Sequence, residues 1–230
     1  MKTDFLKQTK GKLIVSCQAL EDEPLHSSYI MSRMAYAAML GGASAIRANS
    51  AEDIVEIKKV VNLPIIGIIK RVYGDCSVYI TPTIAEVDEL MQCGCCDVIA
   101  MDATNRRRPD GKTLEQAFGE IREKYKDQLF MADCSTYEEC VFAKKIGFDI
   151  VGTTLCGYTE ETAGTVIPNI PLLRKLGETI NMPVIAEGGI WSPSQLAEVL
   201  AVEGVHAAVV GTAITRPMEI TKRYVEAIKK

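Results

Sequence analysis

The chain has 230 residues, 47% apolar and 24% charged, an ordinary globular balance. Folding at that length buries a large share of the surface, so no metal or disulfide is needed as a staple. A formal net charge of −4 argues against nucleic acid or an anionic membrane as partner, although a local basic pocket can still hold a small anion. Residues 1–15 lack the charged-then-apolar layout of a signal peptide, and no apolar stretch approaches the roughly 18 residues of a membrane span, so the cytosol is the expected location.

Short apolar runs and helix-like stretches alternate along the chain. The sequence predicts a strand at 13–19 and a helix at 27–40, then a strand at 45–49 and a helix at 51–61. The third pair is 64–70 with 85–93, and the fourth is 97–102 with 114–125. The fifth is 129–133 with 136–146, and the sixth is 150–155 with 172–180. The last two are 183–187 with 194–202, and 207–211 with 220–228. Continuous β-branched runs fit parallel strands buried on both faces, and the helices carry apolar positions at 3- and 4-residue spacing. Ser50, Thr136 and Ser192 stand where N-caps belong, the last followed by Pro193 at the first helical position. Gly41, Gly94, Gly147 and Gly204 stand where helices are expected to stop. An α/β chain of eight strand–helix units and no unit left over reads as one (β/α)8 TIM barrel, a single domain over residues 1–230.

Eight cysteines invite a metal reading that their spacing does not support. Cys93, Cys95 and Cys96 crowd together without a second pair, while Cys17, Cys76, Cys134, Cys140 and Cys156 are scattered, and His26 and His206 are the only histidines. They are expected to be reduced, mostly buried thiols, and no metal site is expected.

In this fold the chemistry sits at the C-terminal ends of the strands. Those ends carry Gln18, Arg47 with Asn49, Lys70 with Arg71, Asp102, Asp133, Thr153 with Thr154, Glu187 and Gly211. Glycine-bearing turns after the seventh strand (Gly188, Gly189) and the eighth (Gly211, Thr212), followed by Arg216, are the expected phosphate cradle, because backbone N–H groups approach an anion closely there. The alternative is that these glycines only make tight turns. Lys70 ends an apolar strand, where burial lowers its proton affinity and makes it a candidate base or Schiff-base amine. It could instead be a structural partner of Asp102 or Asp133. Glu187, four strands away, is its candidate counterpart across the mouth, or else an ion-pair partner orienting Arg47 or Lys70. Gln18, Arg47, Asp133 and Thr153 are candidate substrate contacts, with Arg47 offering a rigid fork to an anion or polarised oxygen; the alternative for Gln18 and Arg47 is that they only complete the buried polar network. Arg106, Arg107 and Arg108 read as a solvated charge run, and neither histidine is given a catalytic role.

Ile14-Val15-Ser16-Cys17-Gln18-Ala19-Leu20, Ala45-Ile46-Arg47-Ala48-Asn49 and Pro64 to Arg71 resemble the bacterial N-acetylmannosamine-6-phosphate 2-epimerases. So do Asp102-Ala103-Thr104, Met131-Ala132-Asp133, Gly152-Thr153-Thr154, Ile185-Ala186-Glu187-Gly188 and Val210 to Pro217, a likeness running from about Gly11 to the end. Cys156 departs from it, standing where Ser or Arg is more often expected. The resemblance implies a ribulose-phosphate-binding type of barrel and an enzyme of sialic acid catabolism. That enzyme interconverts N-acetylmannosamine 6-phosphate and N-acetylglucosamine 6-phosphate. It also implies Lys70 and Glu187 as the catalytic pair, a substrate lined by Gln18, Arg47, Asp133 and Arg216, and no metal or organic cofactor. A Schiff-base aldolase using Lys70 and a non-catalytic sugar-phosphate sensor are the alternatives. The apolar face of the last helix suits a second copy, so a homodimer is also expected.

Overall fold

A computed structural model, which describes residues 2–229, closes all eight strands into one parallel barrel in sequence order. The strands are β1 (Leu13–Cys17), β2 (Ala45–Asn49), β3 (Ile65–Ile68), β4 (Val98–Asp102), β5 (Leu129–Asp133), β6 (Ile150–Gly152), β7 (Val184–Glu187) and β8 (Val205–Val210). β8 pairs back onto β1 through Ile14 opposite Val209, so no sheet edge is left open.

Successive strand residues face opposite sides, and the burial follows that period of two. Ile14, Ala45, Ile66, Ile68, Val98, Ala100, Met131, Ile150, Ile185, Ala207 and Val209 form one cluster inside the barrel. Their neighbours, among them Val15, Ile46, Ile65, Ile99, Phe130, Val151, Val184 and Ala208, belong to a second cluster between the strands and the helices. The parity established by these apolar residues decides which side chain at each strand end points into the mouth.

The helical layer is α2 (Ser28–Leu40), α3 (Ala51–Lys58), α4 (Ile84–Cys93), α5 (Leu114–Lys124), α6 (Tyr137–Ile146), α7 (Ile170–Thr179) and α8 (Pro193–Leu200). Ser50, Thr136 and Ser192 cap α3, α6 and α8, each accepting from the backbone N–H three residues on. Gly94 and Gly147 end α4 and α6 in the left-handed region, as expected. Gly41 caps α2 in a right-handed conformation and the positive φ falls on Gly42 instead. Gly204 ends no helix: α8 stops at Leu200, and Gly204 turns the chain toward β8.

Several features lie outside the eight predicted units, among them a 3-10 turn at Glu160–Thr162. An N-terminal helix, α1 (Lys2–Thr9), closes the lower end of the barrel with Phe5, which is buried in the interior cluster. It is tied to β8 by Gly11 N–H donating to the His206 carbonyl at 2.7 Å. Lys70 lies past the end of β3, where it pairs antiparallel with Ile80, so the β3–α4 loop folds back over the mouth and buries Ile80 against the interior. After β8 comes a single turn, α9 (Thr212–Thr215), before the last helix, α10 (Pro217–Ala227).

α10 buries none of its residues, and Tyr224, Val225 and Ile228 beyond its end are exposed. Its Arg223 guanidinium lies over the Trp191 ring, 4.6 Å from the centroid. The eight cysteines are free thiols; Cys17, Cys134, Cys140 and Cys156 are buried, whereas Cys76, Cys93, Cys95 and Cys96 are half-buried, so burial accounts for only half of them. Phe118 on α5 stacks on Phe148 at 3.7 Å between centroids and meets Phe130 edge-on, joining two helical units to β5. Phe118→Ala should lower stability by about 3–5 kcal/mol, read by urea unfolding, because the cavity it leaves is closed on all sides.

Candidate active site

Inward parity at the strand ends gathers Ser16 from β1 and Gln18 just beyond it, Arg47 from β2, Lys70 beyond β3, Thr154 beyond β6 and Glu187 from β7. All of them line one cavity of about 300 Å³ at the C-terminal mouth, within the range of small-molecule sites.

Arg47 is the most buried charge lining the cavity. Its side chain is 1% exposed and forks onto Asp133, with Nη2 2.5 Å from Oδ2 and Nη1 donating to Oδ1 at 3.2 Å. The same Nη1 lies 3.3 Å from Glu187 Oε2, while Nε is buried and has no protein acceptor. Asp133 is fully buried and also accepts from the Thr154 hydroxyl at 2.6 Å. A bidentate guanidinium–carboxylate pair of this kind fixes orientation as well as charge.

Glu187, 15% exposed, reaches the cavity beside that pair. Burial raises its proton affinity above that of an ordinary carboxylate; Asp133 adds to the rise, and Arg47, the Thr154 hydroxyl and Lys70 oppose it. Lys70 forms no ion pair among the described residues. The two partners expected for it are engaged elsewhere, Asp133 by Arg47 and Asp102 by Arg106 at 2.6 Å and Arg108 at 3.8 Å. Burial lowers the proton affinity of Lys70, the Arg47 charge lowers it further, and Glu187 and Glu23 act against them. Its backbone N–H donates to Asn49 Oδ1 at 2.8 Å, which fixes where the side chain starts. Both ionisable groups are therefore displaced toward their neutral forms.

The expected anion cradle forms another part of the wall. Gly188, Gly189, Gly211, Thr212 and Arg216 all line the cavity. Gly189 has φ 73°, and a Cβ there would stand 2.6 Å from the Ile167 backbone, so no other residue fits that turn unstrained. Arg216, 34% exposed, donates from Nε to Glu23 Oε2 at 2.7 Å and keeps its two Nη groups for other acceptors. Gln18 donates to the Ser16 hydroxyl at 2.8 Å on the same side.

Two expected substrate contacts stand behind the wall. Thr153 clips the backbone of Glu187, its hydroxyl donating to the Glu187 carbonyl at 2.9 Å and accepting the Glu187 N–H at 3.1 Å. Thr154, the next residue, is the one that lines the cavity. Parity counted from Ile150 inside the barrel already puts Thr154 inward and Thr153 outward. Asp133 points inward but lies beneath Arg47. The arginine run is no solvated charge run: Arg108 is buried, Arg106 donates to Asp102 and to the Ser77 carbonyl, and together they seal Asp102 under the loops. Tyr79 and Tyr158 also line the cavity, as does Trp191. They come from loops without strand periodicity, so nothing in the sequence pattern marked them.

A family model described as "Putative N-acetylmannosamine-6-phosphate epimerase" matches residues 31–230. A protein from Caldanaerobacter subterraneus named "Putative N-acetylmannosamine-6-phosphate 2-epimerase" is 51% identical over all of this chain and 96% of its own length. One of the same name from Enterobacter sp. is 54% identical over 100% of this chain and 97% of its own. The solved N-acetylmannosamine-6-phosphate 2-epimerase from Clostridium perfringens superposes with a TM-score of 0.91 at 52% identity, covering 97% of this chain and 96% of that one.

The Arg47–Asp133 pair sets a stability test. Asp133→Ala should cost about 3–5 kcal/mol in urea unfolding, because a buried guanidinium loses its main partner. Adding Arg47→Met should recover part of that loss, and strict additivity of the two changes would contradict the pairing.

Proposed function

The chain belongs to the N-acetylmannosamine-6-phosphate epimerase family, and on that premise we propose that Lys70 and Glu187 divide the proton transfers of its reaction. It is an isomerase that interconverts N-acetylmannosamine 6-phosphate and N-acetylglucosamine 6-phosphate, two sugars differing in configuration at carbon 2. The Schiff-base aldolase and sensor readings are not favoured, since the relatives carry the epimerase name.

Carbon 2 holds an acidic proton only when it adjoins an aldehyde, so the ring must open first. Glu187, held toward its carboxylic acid form, donates a proton to the ring oxygen as the bond from carbon 1 breaks. Lys70, held toward the free amine, removes or returns the carbon 2 proton. The bond pair left behind becomes the double bond between carbons 1 and 2, and the charge moves to the carbon 1 oxygen. Arg47 and Gln18 donate hydrogen bonds to that enolate oxygen, where losing one donor costs roughly 10²–10³-fold. Gly188, Gly189, Gly211, Thr212 and Arg216 hold the 6-phosphate through backbone N–H groups and the guanidinium. Asp133 and Thr153 act one layer back, holding Arg47 and the Glu187 backbone. The observation that carries this assignment is that one cavity is lined by a half-buried amine without an ion pair among the described residues and by a half-buried carboxyl, each pushed by its surroundings toward its neutral form.

No helix among the described residues is long and apolar enough to cross a membrane. A phosphorylated sugar does not cross one unaided, and a cytosolic location is the reading this supports. The exposed Tyr224, Val225 and Ile228 at the end of the chain are the surface on which a homodimer forms.

During turnover in deuterium oxide, carbon 2 of the product should carry deuterium, read by NMR. Complete retention of the original hydrogen through full conversion would exclude the scheme. Lys70→Ala should lower kcat/KM by about 10²–10⁴-fold with the fold intact, as loss of a general base does. By sedimentation the native chain should run as a dimer and the Tyr224→Glu, Ile228→Glu double variant as a monomer. A monomeric native chain would end the dimer assignment.

A further inference from the structure

Thr81, in the loop that folds back over the mouth, holds an unfavourable backbone angle. Its φ is +44°, in the left-handed region that β-branched residues rarely enter. Pro82 follows it and restricts it further toward extended backbone. Such an angle persists only where the surroundings enforce it. Thr81 is fully buried and does not line the cavity, so its contacts lie within the protein.

Those contacts are with the residue before Lys70. The Thr81 N–H donates to the Ile69 carbonyl at 2.7 Å, and the Ile69 N–H donates to Thr81 Oγ1 at 3.2 Å. In a regular antiparallel ladder that second bond goes to the opposing carbonyl. Here the chain is already turning toward α4, and the hydroxyl takes the place of the carbonyl. Two further bonds continue the clamp. The Arg71 N–H donates to the Tyr79 carbonyl and the Asp102 N–H to the Ile80 carbonyl, both at 2.9 Å, which sets residues 79–81 between the ends of β3 and β4. With the Lys70 N–H on Asn49 Oδ1, the backbone is held at 69, 70 and 71 in turn.

We propose that Thr81 is a positioning residue whose hydroxyl completes this clamp and so sets where the Lys70 amine meets carbon 2 of the sugar. This rests on the reading of Lys70 as the base. In that step the amine lone pair takes the carbon 2 proton and becomes an ammonium, and the bonding pair left behind forms the enolate. Lysine carries its amine on a flexible four-carbon stem, so a small rotation at the root displaces the nitrogen further than the backbone. A misplacement of about 1 Å costs on the order of 10²-fold in rate. Because Thr81 does not reach the cavity, its loss should fall on kcat and spare KM.

Thr81→Val keeps the branched shape but leaves the Ile69 N–H without its acceptor. Thr81→Ser keeps the hydroxyl. Thr81→Gly accepts the positive φ but supplies no oxygen, and it carries the test if the valine variant does not fold. Urea unfolding identifies the folded variants. In Thr81→Val and Thr81→Gly kcat should fall about 10- to 100-fold with KM within about twofold, and serine should stay within about threefold of wild type. With substrate deuterated at carbon 2, the isotope effect on kcat should be at least as large in these two variants as in wild type, because proton transfer has become the slow step. A folded valine or glycine variant with near-normal kcat overturns the proposal. So does a serine variant as slow as valine, a loss that appears in KM instead, or an isotope effect that collapses to one. Lys70→Ala tests the underlying reading separately: near-normal turnover there removes the base role from Lys70. A severe loss there with unimpaired Thr81→Val and Thr81→Gly enzymes removes only the role of Thr81.

Discussion

A buried guanidinium forked onto a buried carboxylate is the interaction on which the rest of the site depends. Removing Arg47 and Asp133 from water is expensive, and only the short, two-pronged contact between them offsets that cost. The pair spans the interior from β2 to β5, so it can form only when the barrel is closed. Once formed, it is a fixed positive edge against which the neighbouring groups settle. Glu187 leans on it through Oε2, Thr154 joins it through Asp133, and Lys70 sits near enough for its charge to be disfavoured.

The electrostatics of the mouth follow from that arrangement. Arg47 and Asp133 satisfy one another, which leaves Lys70 and Glu187 as the groups whose charge the surroundings do not fully compensate. Burial then displaces an amine and a carboxyl in opposite directions, each toward the form that proton transfer to and from a sugar requires. Gly189, pressed against the Ile167 backbone, and Arg216, steered by Glu23, shape the other part of the cavity and leave room for an anion there.

Much of this was legible in the sequence because a parallel barrel translates order into position. Eight apolar runs predicted eight strands, and the polar residue closing each run marked the mouth. Arg47, Lys70 and Glu187 were found in that way. What escaped did so for physical reasons. Thr154 rather than Thr153 faces the cavity, as parity from Ile150 requires, but only three residues of β6 pair and the phase beyond them is easily lost. The loop that returns Tyr79 and Ile80 over the mouth is held by tertiary bonds to Ile69 and Asp102, which have no local periodicity. Arg106 and Arg108 looked like a solvated run because the carboxylate that organises them, Asp102, precedes them and is hidden beneath them. The plug formed by Phe5 is carried by a short polar helix with no apolar stripe to announce it.

The central claim is that this environment holds Lys70 as a neutral amine more readily than any surface lysine. Nitrogen-15 NMR of labelled lysine side chains, with the Lys70 signal assigned by its loss in Lys70→Arg, measures this directly. Lys70 is expected to titrate well below the exposed lysines, and below its own value when Arg47 is replaced by methionine, because the nearby positive charge is then gone. A Lys70 that titrates together with the surface lysines, unmoved by the loss of Arg47, would contradict the account.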